Sequence, residues 1–308
     1  MTTLFVHHPC FLEHLTPVGH PERPDRLRAL DSALEDEKFA ALDRVLAPTG
    51  DADMILLAHP ETYLDMIRGA SPSQGMVQLD PDTSMSPGSW EAAMRAIGGS
   101  CMAVDRVMTG QVQNAFCAHR PPGHHAEIDK VMGFCLFNNA AIAARHAQKA
   151  HGAERVAIMD FDVHHGNGTQ DIFYQDATVF YASTHQIPLF PGTGEVGETG
   201  VGNIVNAPLS PGDGGEAFRE AMSSRVLPAM KAFDPDLVII SAGFDAHVRD
   251  PLASINLVED DYHWATGKLM DIADAACEGR VVSLLEGGYD LIGLARSAAT
   301  HIDTLMHG

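Results

Sequence analysis

The stretch "VAIMDFDVHHGNGTQ", residues 156–170, begins as an apolar run and ends in a dense group of polar side chains. Its first four residues are typical of a strand buried on both faces of a parallel sheet. Asp160, Asp162, His164, His165 and Asn167 then follow within eight residues. Because alternate side chains of an extended segment point the same way, we expect Asp160, Asp162 and His164 on one side. Carboxylates and an imidazole in this arrangement are typical ligands of a divalent metal.

Four other stretches are also apolar and then end in polar or glycine-rich turns: "VQNAFCAH" (112–119), "ATVFYAST" (177–184), "DLVIISAGFD" (236–245) and "RVVSLLEGGYD" (280–290). Helical patterns lie between and around these predicted strands, at residues 89–110, 138–152, 214–233 and 258–279. Alternating strands and helices predict βαβ units with right-handed crossovers, and therefore an α/β fold with a parallel sheet.

Helix boundaries are indicated by capping residues. Ser89 and the Asp260/Asp261 pair are candidates for N-caps, and Gly110, Gly152 and Gly279 stand where helices should end. The segment 190–215 is rich in glycine and proline, so we predict a long loop there.

Ligands of an open parallel sheet bind outside the carboxyl ends of its strands, where this sequence places its polar motifs. Asp245 ends "VIISAGFD" and is a candidate third ligand beside Asp162 and His164. Two carboxylates and one imidazole with an open position suit catalytic Zn²⁺, or Fe²⁺ under reducing conditions. His124 and His125 follow a proline-stiffened turn, and adjacent imidazoles of this kind are typical acid–base groups.

Two further positions near the strand ends are candidates for catalytic support. Tyr289 follows two glycines, and its phenol could donate a hydrogen bond to a developing oxyanion, although a Tyr packed beneath the sheet is an equal alternative. Asp160 is interpreted as a buried carboxylate that orients a neighbouring group, since such a carboxylate needs a partner.

Composition limits the classes of partner. The chain has 308 residues with 41 acidic and 20 basic side chains, a formal net charge of −21. This charge disfavours nucleic acid and anionic membranes and would attract cationic substrates, although solubility or a salty cytoplasm also explains it. Five scattered cysteines without a C-x-x-C pair predict reduced thiols and a cytoplasmic protein. No signal peptide, long apolar span or domain linker is apparent, so we expect one domain over residues 1–308.

The motifs "RPPGHHA", "DFDVHHGNGTQ", "FPGTG", "GFDAHVRDPLA" and "EGGYD" together resemble the histone deacetylase superfamily. More narrowly, the chain resembles its bacterial class II deacetylase-like and acetylpolyamine amidohydrolase branch, from "GHPERPDRL" (19–27) to the final helix. The resemblance implies the arginase/deacetylase fold, a single α/β domain around an eight-stranded parallel sheet. It also implies hydrolysis of N-acyl amines such as acetyl-lysine to acetate and a free amine.

The resemblance assigns roles to residues. It implies zinc ligation by Asp162, His164 and Asp245, paired catalytic histidines at His124 and His125 with partners Asp160 and Asn167, and an oxyanion donor at Tyr289. It implies a structural potassium ion held by Asp160, Ser183 and Thr184 with the backbone oxygens of Asp162 and His164. For the substrate it implies that Phe134 and Phe190 flank the acyl-lysine stem, with Gly133 and Leu252 near them, although core packing also explains the two rings. Separately, Glu22 in "GHPERPDRL" could meet a cationic substrate tail, and a salt bridge at the start of a helix is an equal alternative.

The two histidine pairings predict a division of labour. A carboxylate partner favours imidazolium, so His124 with Asp160 should stay charged and act electrostatically. The amide of Asn167 gives no such bias, so His125 should stay basic near pH 7 and deprotonate the attacking water.

Three alternatives remain at this point. A binuclear manganese enzyme of the arginase type would need carboxylates where Asn167 and His247 stand. An acetylpolyamine amidohydrolase differs in substrate, and Leu252, where one polyamine-selective relative carries an acid, mildly favours lysine-like substrates. A non-catalytic sensor of acylated amines is the third. We also expect a homo-oligomer, a dimer or tetramer built from rim loops such as 71–90.

Overall fold

Eight parallel strands form the central sheet of the computed structural model, which describes residues 2–308. The strands are β1 (Thr3–His7), β2 (Asp43–Leu46), β5 (Asn114–Cys117), β6 (Val156–Asp160), β7 (Val179–Gln186), β8 (Ile204–Leu209), β9 (Leu237–Ala242) and β10 (Val281–Leu285). A separate antiparallel pair consists of β3 (Val77–Gln78) and β4 (Ser84–Met85). The predicted fold class, with an eight-stranded parallel sheet flanked by helices, is confirmed.

The helices run as follows: α1 (Asp25–Ala33), α2 (Ala52–Ile55), α3 (Glu61–Ala70), α4 (Ser89–Met108), α5 (Asn139–His151), α6 (Asn167–Phe173), α7 (Gly215–Ala221), α8 (Leu227–Phe233), α9 (Glu259–Cys277) and α10 (Leu291–His307). Helix α4 packs on α5, whereas α10 packs on α1 and α9. The five central strands β5, β6, β7, β9 and β10 are buried along their whole length, as expected for a parallel sheet covered on both faces.

The order of the strands in the sheet determines which strand ends surround the candidate site. The sheet runs β2-β1-β5-β10-β9-β6-β7-β8, so the two last strands of the chain lie between β5 and β6. Consequently the carboxyl ends of β5, β10, β9 and β6 are direct neighbours. The motifs that carry the candidate zinc ligands, the paired histidines and Tyr289 each follow one of these four ends.

Two predictions made from the sequence about these elements were wrong. The predicted loop 190–215 contains the edge strand β8, and Pro208 lies opposite His185 of β7 in the register. An edge strand tolerates proline because one side of it needs no backbone donor. Ser89 is the first residue of α4 and does not cap it: its hydroxyl accepts the backbone N–H of Ser86 at 2.8 Å and lies 2.7 Å from His14 Nδ1.

The other helix boundaries agree with prediction or differ in detail. Asp261 accepts the backbone N–H of Val258 at 3.0 Å and so caps α9, and Gly152 ends α5 with φ of 69°. The helix predicted at 214–233 is interrupted by a π-helical turn at Met222–Val226, which separates α7 from α8. Among residues 2–308 there is no helix with the length and apolarity needed to cross a membrane.

Candidate active site

Asp162, His164 and Asp245 converge at the ends of β6 and β9. Nδ1 of His164 lies 3.1 Å from Asp162 Oδ1 and 3.1 Å from Asp245 Oδ2. One donor atom from each residue lies within 4.8 Å of the other two, and all three side chains are buried. Strand β6 ends at Asp160, so Asp162 and His164 converge through the turn that follows it rather than through strand alternation.

Backbone groups hold the two carboxylates in place. Val163 N–H donates to Asp245 Oδ1 at 2.8 Å, and Gly287 N–H, after β10, donates to Asp162 Oδ2 at 2.8 Å. A Cβ atom at Gly287 would overlap the Asp245 carboxylate and lie 2.5 Å from Asp162 Oδ2. Glycine is therefore required where the chain after β10 passes the two carboxylates.

The donor set fits a divalent cation. Without an ion, burial together with the neighbouring Asp162 raises the pKa of Asp245 to about 7. Burial opposes a charge on His164, but hydrogen bonds to Asp162 and Asp245 raise its pKa to about 10. Two buried carboxylates thus share a proton with one imidazole, and a cation bound by two oxygens and one nitrogen would replace that proton.

His124 is paired with a carboxylate. Its Nδ1 lies 2.9 Å from Asp160 Oδ2 at the end of β6. Burial disfavours the imidazolium, but the negative charges of Asp160 and Asp162 outweigh burial and raise the pKa of His124 well above its ordinary value. The two histidine rings are adjacent, with centroids 4.0 Å apart.

His125 is paired with a neutral amide. Its Nδ1 lies 2.8 Å from Oδ1 of Asn167, the first residue of α6. The amide orientation is set on its other side, where Asn167 Nδ2 donates to Glu127 Oε1 at 2.7 Å. Since Asn167 then presents an acceptor, His125 carries its proton on Nδ1 and keeps a lone pair on Nε2. Burial, followed by the charge of His124, lowers the pKa of His125 well below its ordinary value.

Tyr289 and two aromatic rings line the cavity beside these groups. The Tyr289 ring lies 5.9 Å from that of Phe134, and burial raises the pKa of its phenol well above the ordinary value. A protonated phenol can donate a hydrogen bond. The Phe190 ring lies 5.1 Å from that of His125 and is 41% exposed, at the solvent side of the site.

The cavity between these residues has a volume of about 230 Å³. It is lined by Asp82, His125, Gly133, Phe134, His164, Leu189, Phe190, Leu252 and Tyr289. Phe134 adopts a positive φ of 67°, a conformation that costs energy for an aromatic residue and is found mainly where the surrounding structure enforces it. Gly133 precedes it, and a Cβ there would lie 2.6 Å from His125 Cγ. This turn therefore brings the backbone directly against the catalytic pair.

Glu22 is the one sequence-predicted site residue that the structure places elsewhere. It is fully buried, binds the Arg120 guanidinium and lies 3.2 Å from Arg26 Nη1. Burial opposes its charge, but Arg120 lowers the pKa of Glu22 to about 2. A rim contact with substrate is therefore wrong for Glu22, and the alternative expectation of a salt bridge at a helix start is confirmed by its pairing with Arg26 of α1. Its carboxylate instead holds Arg26, which donates to the backbone oxygen of Gly288 at 2.6 Å and lies 5.0 Å from the Tyr289 ring centroid.

Sequence reasoning overlooked several supporting residues. Glu286, in the motif "EGGYD", accepts the backbone N–H groups of Gly123 at 2.7 Å and His124 at 3.2 Å, and so joins β10 to the histidine loop. Burial raises its pKa to about 7. Asp82, which lines the cavity, follows the β3 strand in a segment without a recognisable motif. Only Glu286 could have been found from the sequence, because it stands inside a motif at a strand end.

The residues expected to hold potassium also lie together. Asp160 of β6 is in register with Ser183 of β7, directly followed by Thr184. Thr184 Oγ1 is buried without a hydrogen-bond partner within residues 2–308. Ser183 Oγ lies 2.8 Å from His185 Nδ1. In the same described part, the backbone oxygens of Asp162 and His164 accept no backbone hydrogen bond.

Comparison with known proteins places the chain among deacetylases. A family model described as "Histone deacetylase domain" matches residues 20–305. A histone deacetylase-like amidohydrolase of Pseudomonas aeruginosa is 41% identical over 277 residues, which cover 88% of this chain and 73% of that protein. A probable deacetylase of Archaeoglobus fulgidus is 38% identical over 300 residues, which cover 95% of this chain and 83% of that protein. The crystal structure of the HDA15 HD domain superimposes with a TM-score of 0.94 at 38% identity, covering 99% of this chain and 88% of that one.

These similarities first identify the class: the chain is a hydrolase that acts on amide bonds. More narrowly, it belongs to the histone deacetylase family, because the family model and the relatives each span most of the chain.

Proposed function

We propose that this protein is a zinc-dependent deacetylase that hydrolyses N-acyl amines of the acetyl-lysine type to acetate and a free amine. The observation that carries the proposal is the convergence of Asp162, His164 and Asp245 at 3.1 Å spacings beside two histidines with opposite pKa shifts. When bound, the ion would supply Lewis-acid polarisation of the amide carbonyl and of the attacking water.

The side chains of this protein have distinct tasks in the reaction. His125 Nε2 takes a proton from the water as the water oxygen adds to the carbonyl carbon. The Tyr289 phenol donates a hydrogen bond to the carbonyl oxygen as it becomes negative. The imidazolium of His124 adds positive charge beside that oxygen. His125 then gives its proton to the nitrogen as the C–N bond breaks, which yields acetate and the amine.

The narrow, largely apolar cavity supports a substrate with a long aliphatic stem. Phe134, Phe190, Leu189 and Leu252 line it, and the enclosed volume of about 230 Å³ suits an acylated aminoalkyl chain rather than a bulky ligand. Acetylpolyamines are the alternative substrate class. The Asp82 carboxylate in the lining favours them, since it could bind a second ammonium group.

A single divalent ion is favoured over an arginase-like pair. At the first position where a second metal would need a carboxylate, Asn167 binds His125. At the second, His247 Nε2 lies 3.7 Å from Glu259. Zn²⁺ fits the donor set, as does Fe²⁺ in a reducing cell. Beneath this site we propose a potassium ion, supported by the Thr184 hydroxyl and the backbone oxygens of Asp162 and His164, which have no hydrogen-bond partner in the described part of the chain.

A turnover assay tests the proposal. Purified protein should release fluorophore from an acetyl-lysine substrate, lose that activity to a chelator and regain it with added Zn²⁺. His125→Ala should lose most turnover. If His124→Ala lost turnover while His125→Ala kept it, the two roles would be exchanged. Absence of chelator-sensitive turnover on any acyl amine would leave a non-catalytic sensor as the better reading.

A panel of substrates then separates the classes. N-acetylputrescine, acetyl-lysine peptides and longer acyl chains should be compared by kcat/KM, and we expect the lysine-type substrates to be preferred. We further propose that the protein acts as a homo-oligomer, which light scattering of the purified protein would test.

A further inference from the structure

A second cluster of metal-binding side chains lies between α4 and α5. It consists of Asp105 on α4 with His146 and His151 on α5. Oδ1 of Asp105 lies 2.7 Å from His146 Nε2 and 2.7 Å from His151 Nε2. Apart from the active-site trio, it is the only group of three such residues whose donor atoms all lie within 4.8 Å among residues 2–308.

We propose that Asp105, His146 and His151 form a second divalent-cation site, which takes ions that accept imidazole ligands, Zn²⁺ foremost. Two histidine nitrogens and one carboxylate oxygen are a donor set that such ions favour, and water can complete a tetrahedron. An ion bound there would cross-link α4 to the carboxyl end of α5.

The three donor atoms lie within 4.8 Å of one another, so side-chain adjustment could bring them to ligating distances. With metal–ligand bonds of about 2.0–2.1 Å, the donor atoms of a tetrahedral site lie about 3.3 Å apart. The two nitrogens would therefore move outward by roughly half an ångström from their present 2.7 Å contacts with the oxygen. In the active-site trio the corresponding contacts are already 3.1 Å.

Accessibility and charge also suit an ion. The histidine side chains are 15% and 17% exposed, so their rings are held by the surrounding structure, whereas Asp105 is 48% exposed and open to solvent. The neighbouring arginine side chains form salt bridges elsewhere: Arg106 with Asp43 at 3.3 Å and Arg145 with Asp176 at 2.5 Å. Within residues 2–308, the basic groups within 4 Å of the Asp105 carboxylate are the imidazoles of His146 and His151.

The cluster is separate from the active site. Helix α5 begins at Asn139, and its rise of about 1.5 Å per residue places His146 about 10 Å and His151 about 18 Å from that end. The first turn is the end near the cavity loop, since Asn138 donates to the backbone oxygen of Ala126 at 3.2 Å. An ion in the carboxyl-terminal half of α5 would therefore act on the stability of the α4–α5 pair and leave the reaction chemistry unchanged.

The test is metal stoichiometry measured by calorimetric titration of chelator-treated protein with Zn²⁺. The full chain should bind two ions, whereas His146→Ala and His151→Ala should each bind one tightly, with the second weakened at least tenfold. Turnover should be unchanged in both variants. Asp245→Ala should show the converse result, with turnover lost and the ion at the second site retained.

A matched control is His307→Ala, because His307 also lies beside one carboxylate, Asp303 Oδ1 at 3.2 Å, but has no second histidine beside it within residues 2–308. It should leave the stoichiometry at two. Thermal melting gives an independent readout: Zn²⁺ should raise the Tm of Asp245→Ala, and the additional His146→Ala change should remove that rise. One ion in the full chain, or two ions in His146→Ala and His151→Ala, would overturn the proposal without touching the proposed deacetylation.

Discussion

Replacing Asn167 with aspartate tests directly why His125 is the base. The Asn167 amide oxygen accepts the Nδ1 proton of His125 at 2.8 Å, and it does so without charge. Asn167→Asp keeps an acceptor at the same place and adds a negative charge beside the ring. His125 would then have the same kind of partner that His124 has in Asp160, at 2.9 Å.

The size of the effect follows from the contact. An opposite charge within about 4–6 Å raises the pKa of an imidazole by roughly 1–3 units, each worth about 1.36 kcal/mol. Because the reaction needs neutral His125, kcat/KM falls as pH drops through its pKa, which is below the ordinary value in the native protein. Asn167→Asp should therefore move the acidic limb of the pH profile upward by about 1–3 pH units, with recovery at high pH.

One neighbour would weaken this effect. Glu127 Oε1 accepts a hydrogen bond from Asn167 Nδ2 at 2.7 Å, and after the substitution two carboxylates would meet there. They would share a proton and lose part of the added charge. Glu127→Gln restores a donor, so the double variant Asn167→Asp/Glu127→Gln should show the full shift, while Glu127→Gln alone should leave the limb in place.

The assay is kcat/KM on an acetyl-lysine substrate from about pH 5 to about pH 9.5, with zinc kept saturating. An acidic limb in the double variant that stayed where it is in the native protein, or moved downward, would refute the assignment of His125 as the base.

Three other predictions concern the oxyanion and the metal. Tyr289→Phe should lower kcat about 10²–10³-fold with KM little changed, since its hydrogen bond strengthens only in the transition state. A rise in KM as large as the fall in kcat would argue against this role for Tyr289. Gly287→Ala should weaken Zn²⁺ binding at least tenfold in calorimetry, because the new methyl group overlaps the Asp245 carboxylate, and native affinity would disprove that overlap. Zinc affinity should fall as pH falls from about 10, since binding must displace the proton from His164; titrations in buffers of different ionisation enthalpy should show proton release, and none would contradict it.

Local sequence was sufficient to predict the five central strands and the side chains at their ends. Buried parallel strands are continuous apolar runs, and polar groups follow such runs at five separate places in this sequence, which indicates a shared site at one edge of the sheet. Local patterns did not predict the pairing of His124 with Asp160 or of His125 with Asn167, and both came only from the family resemblance. The structure contains both contacts, at 2.9 and 2.8 Å.

Tertiary structure decided which strand ends meet. Because β9 and β10 lie between β5 and β6, Gly287 and Glu286 reach Asp162 and His124, residues more than a hundred positions away along the chain. Glu22 lies in a charged segment that the sequence favours at the rim of the site. In the structure it is buried in an ion pair with Arg120, 98 residues away along the chain.

The Asp105 cluster shows the same limit. His146 and His151 are five residues apart, about 140° around an ideal helix, so no helical pattern marks them as partners. They converge only because α4 packs on α5 and places Asp105 between them. Side-chain periodicity reports which face of an element is buried, whereas contacts between distant segments depend on strand order and helix packing, which local patterns do not encode.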